Sequence, residues 1–418
     1  MFALVDANSF YASAEVVFRP DWRGRAVIVL SNNDGCIVAA NREAKAAGIA
    51  KFKPFFEVRE QCQANGVIAC SSNYELYGDL SARMMQIIGR FAPEQHIYSI
   101  DECFLNFQRI FPAITDLRQH GQLIRRTVWK EAKLPVCVGM APTLTLAKAA
   151  NHAAKQLPDY HGVCVLDDQM AIHAVLQQMD VADVWGIGRQ ISKKLQLMDI
   201  HTAAQLAAMP PKLARKQLSI EIERTVLELN GIPCKNWDQA RADKQQIYST
   251  RSVGERITSL PLLQQALAKH IAIAAAKLRK QGSLAGVLFV FAHNSPFDDH
   301  PAGFRQTITF PVPTADSCVM AAAVSRIVPQ LFKTGVRYYK IGVGLLDLTP
   351  AANRQLDLFD ASIDNNKLMQ TMDTINCQYG TDTIFIAAQG ITPRWAMRRK
   401  LLTPQYTTRW QDIPKIRC

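Results

Sequence analysis

Ile97-Tyr98-Ser99-Ile100-Asp101-Glu102-Cys103-Phe104 sets two adjacent carboxylates inside an apolar run. A third carboxylate, Asp6, closes a similar run at the start of the chain, Phe2-Ala3-Leu4-Val5-Asp6. Neighbouring side chains of a regular strand point to opposite faces, so Asp101 and Glu102 share a site only at a strand end, turn or bulge. Three acidic side chains at the ends of strand-like runs suit a two-metal phosphoryl-transfer site, whose cations clamp the attacking and leaving oxygens. Carboxylate oxygens suit Mg²⁺, which also draws ligands from substrate phosphates. An Asp-Glu pair alone reads equally as a solvated acidic turn, so the rest of the chain decides.

The 418 residues carry a formal charge of +12, with 48% hydrophobic and 20% charged residues. That composition belongs to a globular chain of two to four domains. The basic balance favours a polyanionic partner. Ten cysteines lie mostly in apolar runs, with no Cys-x-x-Cys pair, which reads as reduced core cysteine. No apolar run is long enough to predict a membrane span, and Met1-Phe2-Ala3-Leu4-Val5-Asp6 lacks the basic start of a secretory signal.

Taken in order, Asp6 is followed by Ala7-Asn8-Ser9 and a helix start at Phe10-Tyr11, where backbone N–H groups would receive a triphosphate. Tyr11 would present its ring near that pocket, whereas composition favours a core position for Phe10. Val27–Leu30 and Cys36–Ala40 read as a hairpin about Ser31-Asn32-Asn33-Asp34-Gly35. Asn41 then caps a short helix whose Arg42 and Lys45 share a face, either a solvated basic face or a pair of triphosphate contacts. A helix from Asn73, strands at Val136–Met140 and Gly162–Leu166, and a helix bearing Lys148 and Lys155 complete an α+β region with a mixed or antiparallel sheet to about residue 168. Gly139 in its strand suggests close approach of another backbone.

Beyond 170 the pattern turns helical. Val184-Trp185-Gly186-Ile187-Gly188-Arg189 looks like a helix-hairpin-helix turn, with Gly186 and Gly188 approaching a DNA phosphate and Arg189, Lys193 and Lys194 adding charge. Asp199 stands where a glycine is usual, at a position that demands a left-handed backbone. A polar linker at 236–242 precedes a second α/β unit over 243–350. Gln355-Leu356-Asp357-Leu358-Phe359 then reads as an anchor in which Leu358 and Phe359 fill a partner's apolar pocket. The last segment is basic and the least readable, with seven Lys/Arg after residue 390 against one Asp.

These residues resemble the Y-family DNA polymerases, and within them the UmuC branch. The resemblance rests on D-x-N-x-F-Y-A-S at 6–13, S-N-N-D-G-C at 31–36, S-S-N-Y-E-L-Y at 71–77, Y-S-I-D-E at 98–102, A-K-x-A-N-H-A-A-K at 147–155, D-V-W-G-I-G-R at 183–189, R-S-x-G-E-R-I-T at 251–258 and Y-T-T-R at 406–409. It implies an α+β multidomain right hand: palm over 1–20 and 75–168, small fingers over 21–74, a helical thumb over 169–235, a little finger over 243–350 and a tail over 351–418. It implies an error-prone translesion DNA-directed DNA polymerase of the SOS response, cytoplasmic and associated with the nucleoid. Asp6, Asp101 and Glu102, with the Ala7 carbonyl, would hold two Mg²⁺. Tyr11 would reject a ribose 2′-OH, with Phe10, Arg42, Lys45 and Lys155 also about the dNTP. Primed damaged DNA, a UmuD′-like dimer, a RecA filament and the sliding clamp, through Gln355 to Phe359, would be the partners, and no membrane. Ala39 departs from the hydroxyl common at its place, and Ile49-Ala50-Lys51-Phe52-Lys53-Pro54 lacks a Gly often found before the Pro. Two other readings of the residues stand beside this one: a two-metal nuclease, which needs no triphosphate lysines or sugar gate, and a DNA-binding scaffold with a decayed site.

Overall fold

The computed structural model describes residues 1–110, 113–236, 243–353 and 364–415. They form two compact units, one of residues up to 236 together with those from Lys400 onward, the other from 243 to Arg399. In the first unit the strands are β1 (Phe2–Ala7), β2 (Val27–Leu30), β3 (Ile37–Ala40), β4 (Ile68–Ser71), β5 (Glu94–Ile97), β6 (Glu102–Asn106), β7 (Val136–Ala141) and β8 (Val163–Val165). They make a five-stranded sheet in the order β5-β6-β1-β7-β8 and a three-stranded sheet in the order β3-β2-β4. The larger sheet is mixed: β1 pairs antiparallel with β6 and β7, and β7 pairs parallel with β8.

The unbroken apolar run of β1 follows from burial on both faces. Ala3 and Val5 pack with the helices Tyr74–Ile88 and Leu117–Ala132, through residues such as Leu80, Met84, Ile124 and Val128. Phe2 and Leu4 face the other way, onto Ala147 and Ala150 of the helix Leu144–Gln156. That second core continues through Ile172, Val175, Leu206 and Val226 of the helical segment that follows. Side-chain caps start the main helices: Asn73 accepts from the Leu76 amide, Asp116 from Gln119 and Thr143 from Leu146, each cap contributing about 1 kcal/mol.

The smaller sheet is the expected hairpin with an added parallel strand, and its turn places Asn33 and Asp34 in the left-handed region, at φ 62° and 54°. Asn41 caps the helix Arg42–Ala46, which stops at Gly48 with φ 79°. In the helical segment, Gly186 takes φ 93° and Asp199 φ 58°, so the aspartate does adopt the left-handed turn that a glycine usually supplies. The turn differs from two helices about a hairpin: a 3₁₀ turn, Val181–Asp183, precedes it, and the helix Arg189–Gln196 follows.

The second unit holds β9 (Ile247–Ile257), β10 (Ser283–His293), β11 (Gly303–Thr314) and β12 (Tyr338–Pro350), antiparallel in the order β11-β10-β12-β9. Helices Leu260–Gln281 and Ser317–Leu331 contribute Leu267, Ile271, Val324 and Val328 to its core against Leu288, Val290, Ile341 and Val343 of the sheet. β12 continues through Pro350, with Asp347 at φ 51°.

The stretch expected as one tail is divided. A helix the periodicity did not suggest, Asn366–Tyr379, is pinned to the second unit by Arg279, whose Nε and Nη2 each lie 2.7 Å from the Asp373 carboxylate. Its only buried residue is Met369, so the apolar repeat that announces a helix is missing. Residues from Lys400 belong to the first unit. Most of the linker 236–242, and the whole motif Gln355 to Phe359, lie outside the described residues. Among the described residues no helix is long and apolar enough to cross a membrane.

Candidate active site

The acidic motif splits where strand geometry requires. β5 ends at Ile97, a four-residue turn runs to Asp101, and β6 begins at Glu102. The Tyr98 and Ser99 amides both donate to the Glu102 carbonyl, at 3.1 Å, which tightens the turn. Glu102 stands directly across from Asp6 in the β1–β6 register. The Ala7 amide donates to the Asp101 carbonyl at 2.9 Å, and the Ser99 hydroxyl donates to the Asp101 carboxylate at 2.5 Å. The backbones of all three acidic residues thus meet at one end of two paired strands. Their side chains do not converge: among the described residues no three carboxylates, histidines or cysteines are grouped as a metal cage.

Instead, lysines of the helix Leu144–Gln156 take the two opposed carboxylates. Lys155 Nζ lies 2.6 Å from Asp6, and Lys148 Nζ lies 2.8 and 3.0 Å from the two Glu102 oxygens. Lys148 and Glu102 are 18% and 13% exposed, so the pair is largely withdrawn from water, and removing one member would leave a costly lone charge. Lys148 also sits 4.4 Å over the Tyr98 ring and 5.3 Å over Trp185, and the Trp185 indole donates to the Tyr98 hydroxyl at 3.3 Å. The turn of Trp185 therefore abuts the acidic turn.

The Asp6 carboxyl is pushed up to about 6, by burial first and further by the charges of Glu102 and Asp101, against the opposing pull of Lys155. The three carboxylates are partly buried, and Glu102 and Asp101 raise the proton affinity of Asp6; such oxygen donors suit a hard divalent cation, whose charge would offset that repulsion. A cation held by Asp6 would require that carboxylate in its ionised form. The half-saturating Mg²⁺ for primer extension should therefore be flat above pH 7 and rise by about tenfold per unit once pH falls below the Asp6 value. A Mg²⁺ requirement constant from pH 8 to 5 would show that Asp6 does not titrate there.

Tyr11, half-buried, is stacked on Tyr77 with centroids 4.6 Å apart and planes at 18°. Burial raises its hydroxyl, as do the charges of Tyr74 and Asp101, so Tyr11 and Asp101 share one field. Phe10, included above among the nucleotide contacts, is 3% exposed and packs in the core instead, because its position in the helix Phe10–Val17 turns it inward. Arg42 and Lys45 are exposed on their helix. Lys51, which the motifs did not single out, has its ammonium pushed down by lost solvation and by Lys45 and Lys155, while Asp101 and Asp6 oppose the shift. Lys45, Lys51 and Lys155 thus form one positive field beside the carboxylates. Gly186, Gly188, Arg189, Lys193 and Lys194 are all solvent-exposed, with Gly188 at the start of the helix Arg189–Gln196. Lys148, Lys51 and Tyr77 are the site's unforeseen members. The seven-residue spacing of Lys148 and Lys155 was a signal for a shared face, but not for which carboxylate each would meet.

The impB/mucB/samB family profile matches residues 5–152, the C-terminal domain profile of the same family matches 244–358, and a domain of unknown function matches 366–416. The chain is 42% identical over 423 residues to protein UmuC of Salmonella typhimurium, covering 100% of both chains. It is 43% identical over 421 residues to protein SamB of Salmonella typhimurium, covering 99% of each. A solved Y-family DNA polymerase chimera shares its fold, with a TM-score of 0.63 at 18% identity over 83% of this chain and 99% of that one. With full-length identity of this order joined to a carboxylate-bearing strand pair in a mixed sheet, the chain belongs to the impB/mucB/samB family, the UmuC branch of the Y-family DNA polymerases.

Proposed function

We propose that this DNA-directed DNA polymerase extends primers across damaged template in the SOS response, by nucleotidyl transfer at two Mg²⁺ held by Asp6, Asp101, Glu102 and the Ala7 carbonyl. The observation that carries the site assignment is the opposition of Asp6 and Glu102, with Asp101 hydrogen-bonded to Ala7 beside them. Bound Mg²⁺ supplies activation of the primer 3′-OH and a counter-charge for the triphosphate. The chain's own residues bind and orient: Lys155, Lys45, Lys51 and Arg42 receive the triphosphate, and Tyr11 faces its sugar. Residues 1–20 and 75–168 act as palm, 21–74 as fingers, 169–235 as thumb and 243–350 as little finger. Gly186, Gly188, Arg189, Lys193 and Lys194 grip the DNA backbone. A UmuD′-like dimer and a RecA filament complete the working assembly, which acts in the cytoplasm on the nucleoid.

The test is extension of a primed template by the purified chain with dNTPs, with and without Mg²⁺, the dimer and the filament. Lengthening that requires Mg²⁺ supports the assignment. Shortening of the primer would favour a nuclease, and DNA binding without turnover a scaffold. We also propose that Gln355, Leu356, Leu358 and Phe359 bind the sliding clamp. Leu358→Ala with Phe359→Ala should then remove clamp stimulation while distributive synthesis stays within about twofold of the parent, since anchors of this kind dominate their interfaces. Stimulation that survives both substitutions would exclude the motif.

A further inference from the structure

The last part of the chain, where the sequence was least readable, lies against the nucleotide pocket's aromatic wall. The Ser71 amide donates to the Leu401 carbonyl at 2.9 Å, and the Leu401 amide returns to the Ser71 hydroxyl at 2.9 Å. The Lys400 amide donates to Asp34, which also accepts from Ser71. Tyr406 stacks on Phe18 at 4.9 Å. Between these anchors Thr403 is 9% exposed. Asn73, fully buried, donates through Nδ2 to the Thr403 hydroxyl at 3.0 Å and to the Thr403 and Pro404 carbonyls at 3.2 Å.

Both helices that carry the pocket's rings meet at this point. Asn73 caps the helix of Tyr77, and the Tyr77 hydroxyl donates at 2.5 Å to Glu15 on the helix of Tyr11. Glu15 is fully buried, and burial raises its carboxyl against the opposing hydrogen bonding of Tyr77 and Thr403. Tyr77 is itself fully buried and supplies the stacked ring behind Tyr11. A ring that rejects a hydroxyl by clash works only if it cannot recede, and a displacement of about 1 Å is enough to undo such positioning.

We propose that segment 400–406 is a specificity-determining strap. Thr403 and Glu15 are positioning residues that hold Tyr77 immobile against Tyr11, and so set how strictly a ribonucleotide is refused. The inference rests on Tyr11 as the sugar gate, and it gives part of the domain of unknown function a role. Among the described residues the strap bonds to Asp34, Ser71 and Asn73 rather than to Asp6, Asp101 or Glu102, so its loss relaxes sugar choice more than it slows deoxynucleotide insertion.

The test is insertion of dATP against rATP opposite dT by the full chain with Mg²⁺, the UmuD′-like dimer and the RecA filament. Thr403→Val should lower the deoxy-to-ribo selectivity by about fivefold, the value of one well-made hydrogen bond. Thr403→Ser, which keeps the hydroxyl, should restore it. Tyr77→Phe removes the bond that ties the same ring to Glu15 while leaving the strap's bonds to Asn73 in place, and should give a comparable loss should Thr403→Val fold poorly. In Tyr11→Ala selectivity should collapse further, and adding Thr403→Val should then cost nothing more. Unchanged selectivity in Thr403→Val and Tyr77→Phe, beside a collapse in Tyr11→Ala, overturns the strap alone. Unchanged selectivity in Tyr11→Ala overturns the gate and the strap with it.

Discussion

Asp101→Ala should reduce primer extension by about a thousandfold or more while the protein stays folded and binds DNA. The two halves of that expectation have separate causes. The structural duty of Asp101 is carried by its backbone, whose carbonyl accepts from the Ala7 amide. Alanine keeps that bond and the turn, since Tyr98 and Ser99 are fixed through the Glu102 carbonyl rather than through the Asp101 side chain. What alanine removes is a carboxylate that, among the described residues, is bonded to the Ser99 hydroxyl, a partner from which a cation could readily take it. By contrast Asp6 and Glu102 each hold a lysine, so substitution there would break an ion pair, at Glu102 one largely withdrawn from water, and mix stability with chemistry. Asp101 is therefore the cleaner probe. Single-turnover extension, a melting curve and a DNA titration on the same preparation check it; extension at the parental rate would remove Asp101 from the chemistry.

What could be read in the sequence was local. The Asn33-Asp34 turn, the Asn41 and Asn73 caps and the left-handed Asp199 each announce themselves within a few residues, because backbone φ and capping are short-range demands. The two ends of the strand pair were legible for the same reason: an apolar run that breaks at a carboxylate marks a strand end wherever it occurs. Pairings across long stretches of chain were not. Nothing near Glu102 predicts that Lys148 will meet it, nor near Lys51 that it will share a field with Lys155. Tyr77 looked like one more apolar position on an amphipathic helix, and only its stack on Tyr11 distinguishes it. Thr403 is the extreme case: one of several threonines in a basic segment, buried because Asn73, some 330 positions earlier, donates to it. Such contacts have no period, and depend on the sheet and helices having already formed.

Gly139→Ala joins the fold to the site, and should cost about 3 kcal/mol or more. A Cβ on Gly139 would stand 2.1 Å from the Asn151 amide nitrogen, 2.5 Å from the Ala147 carbonyl oxygen and 2.7 Å from the Ala150 carbonyl carbon. All three atoms are backbone of the helix Leu144–Gln156, so no rotamer change can make room and the helix itself must withdraw from β7. Withdrawal breaks the two bonds by which Asn151 Nδ2 reaches the Leu4 and Cys137 carbonyls, at 3.2 and 2.9 Å. It also carries Lys148 and Lys155 away from Glu102 and Asp6, so extension should fall along with stability. The melting midpoint should drop by about 6–12 °C for a domain of this size. Gly121→Ala supplies the contrast. Its Cβ would meet Val163 Cγ1 at 2.6 Å and Met140 Cε at 3.4 Å, side-chain atoms that can move. About 1 kcal/mol and unaltered nucleotide insertion are expected there. If the two variants melt together, close backbone approach is not what fixes Gly139, and the seating of the lysine-bearing helix must be sought in its alanine-rich face instead.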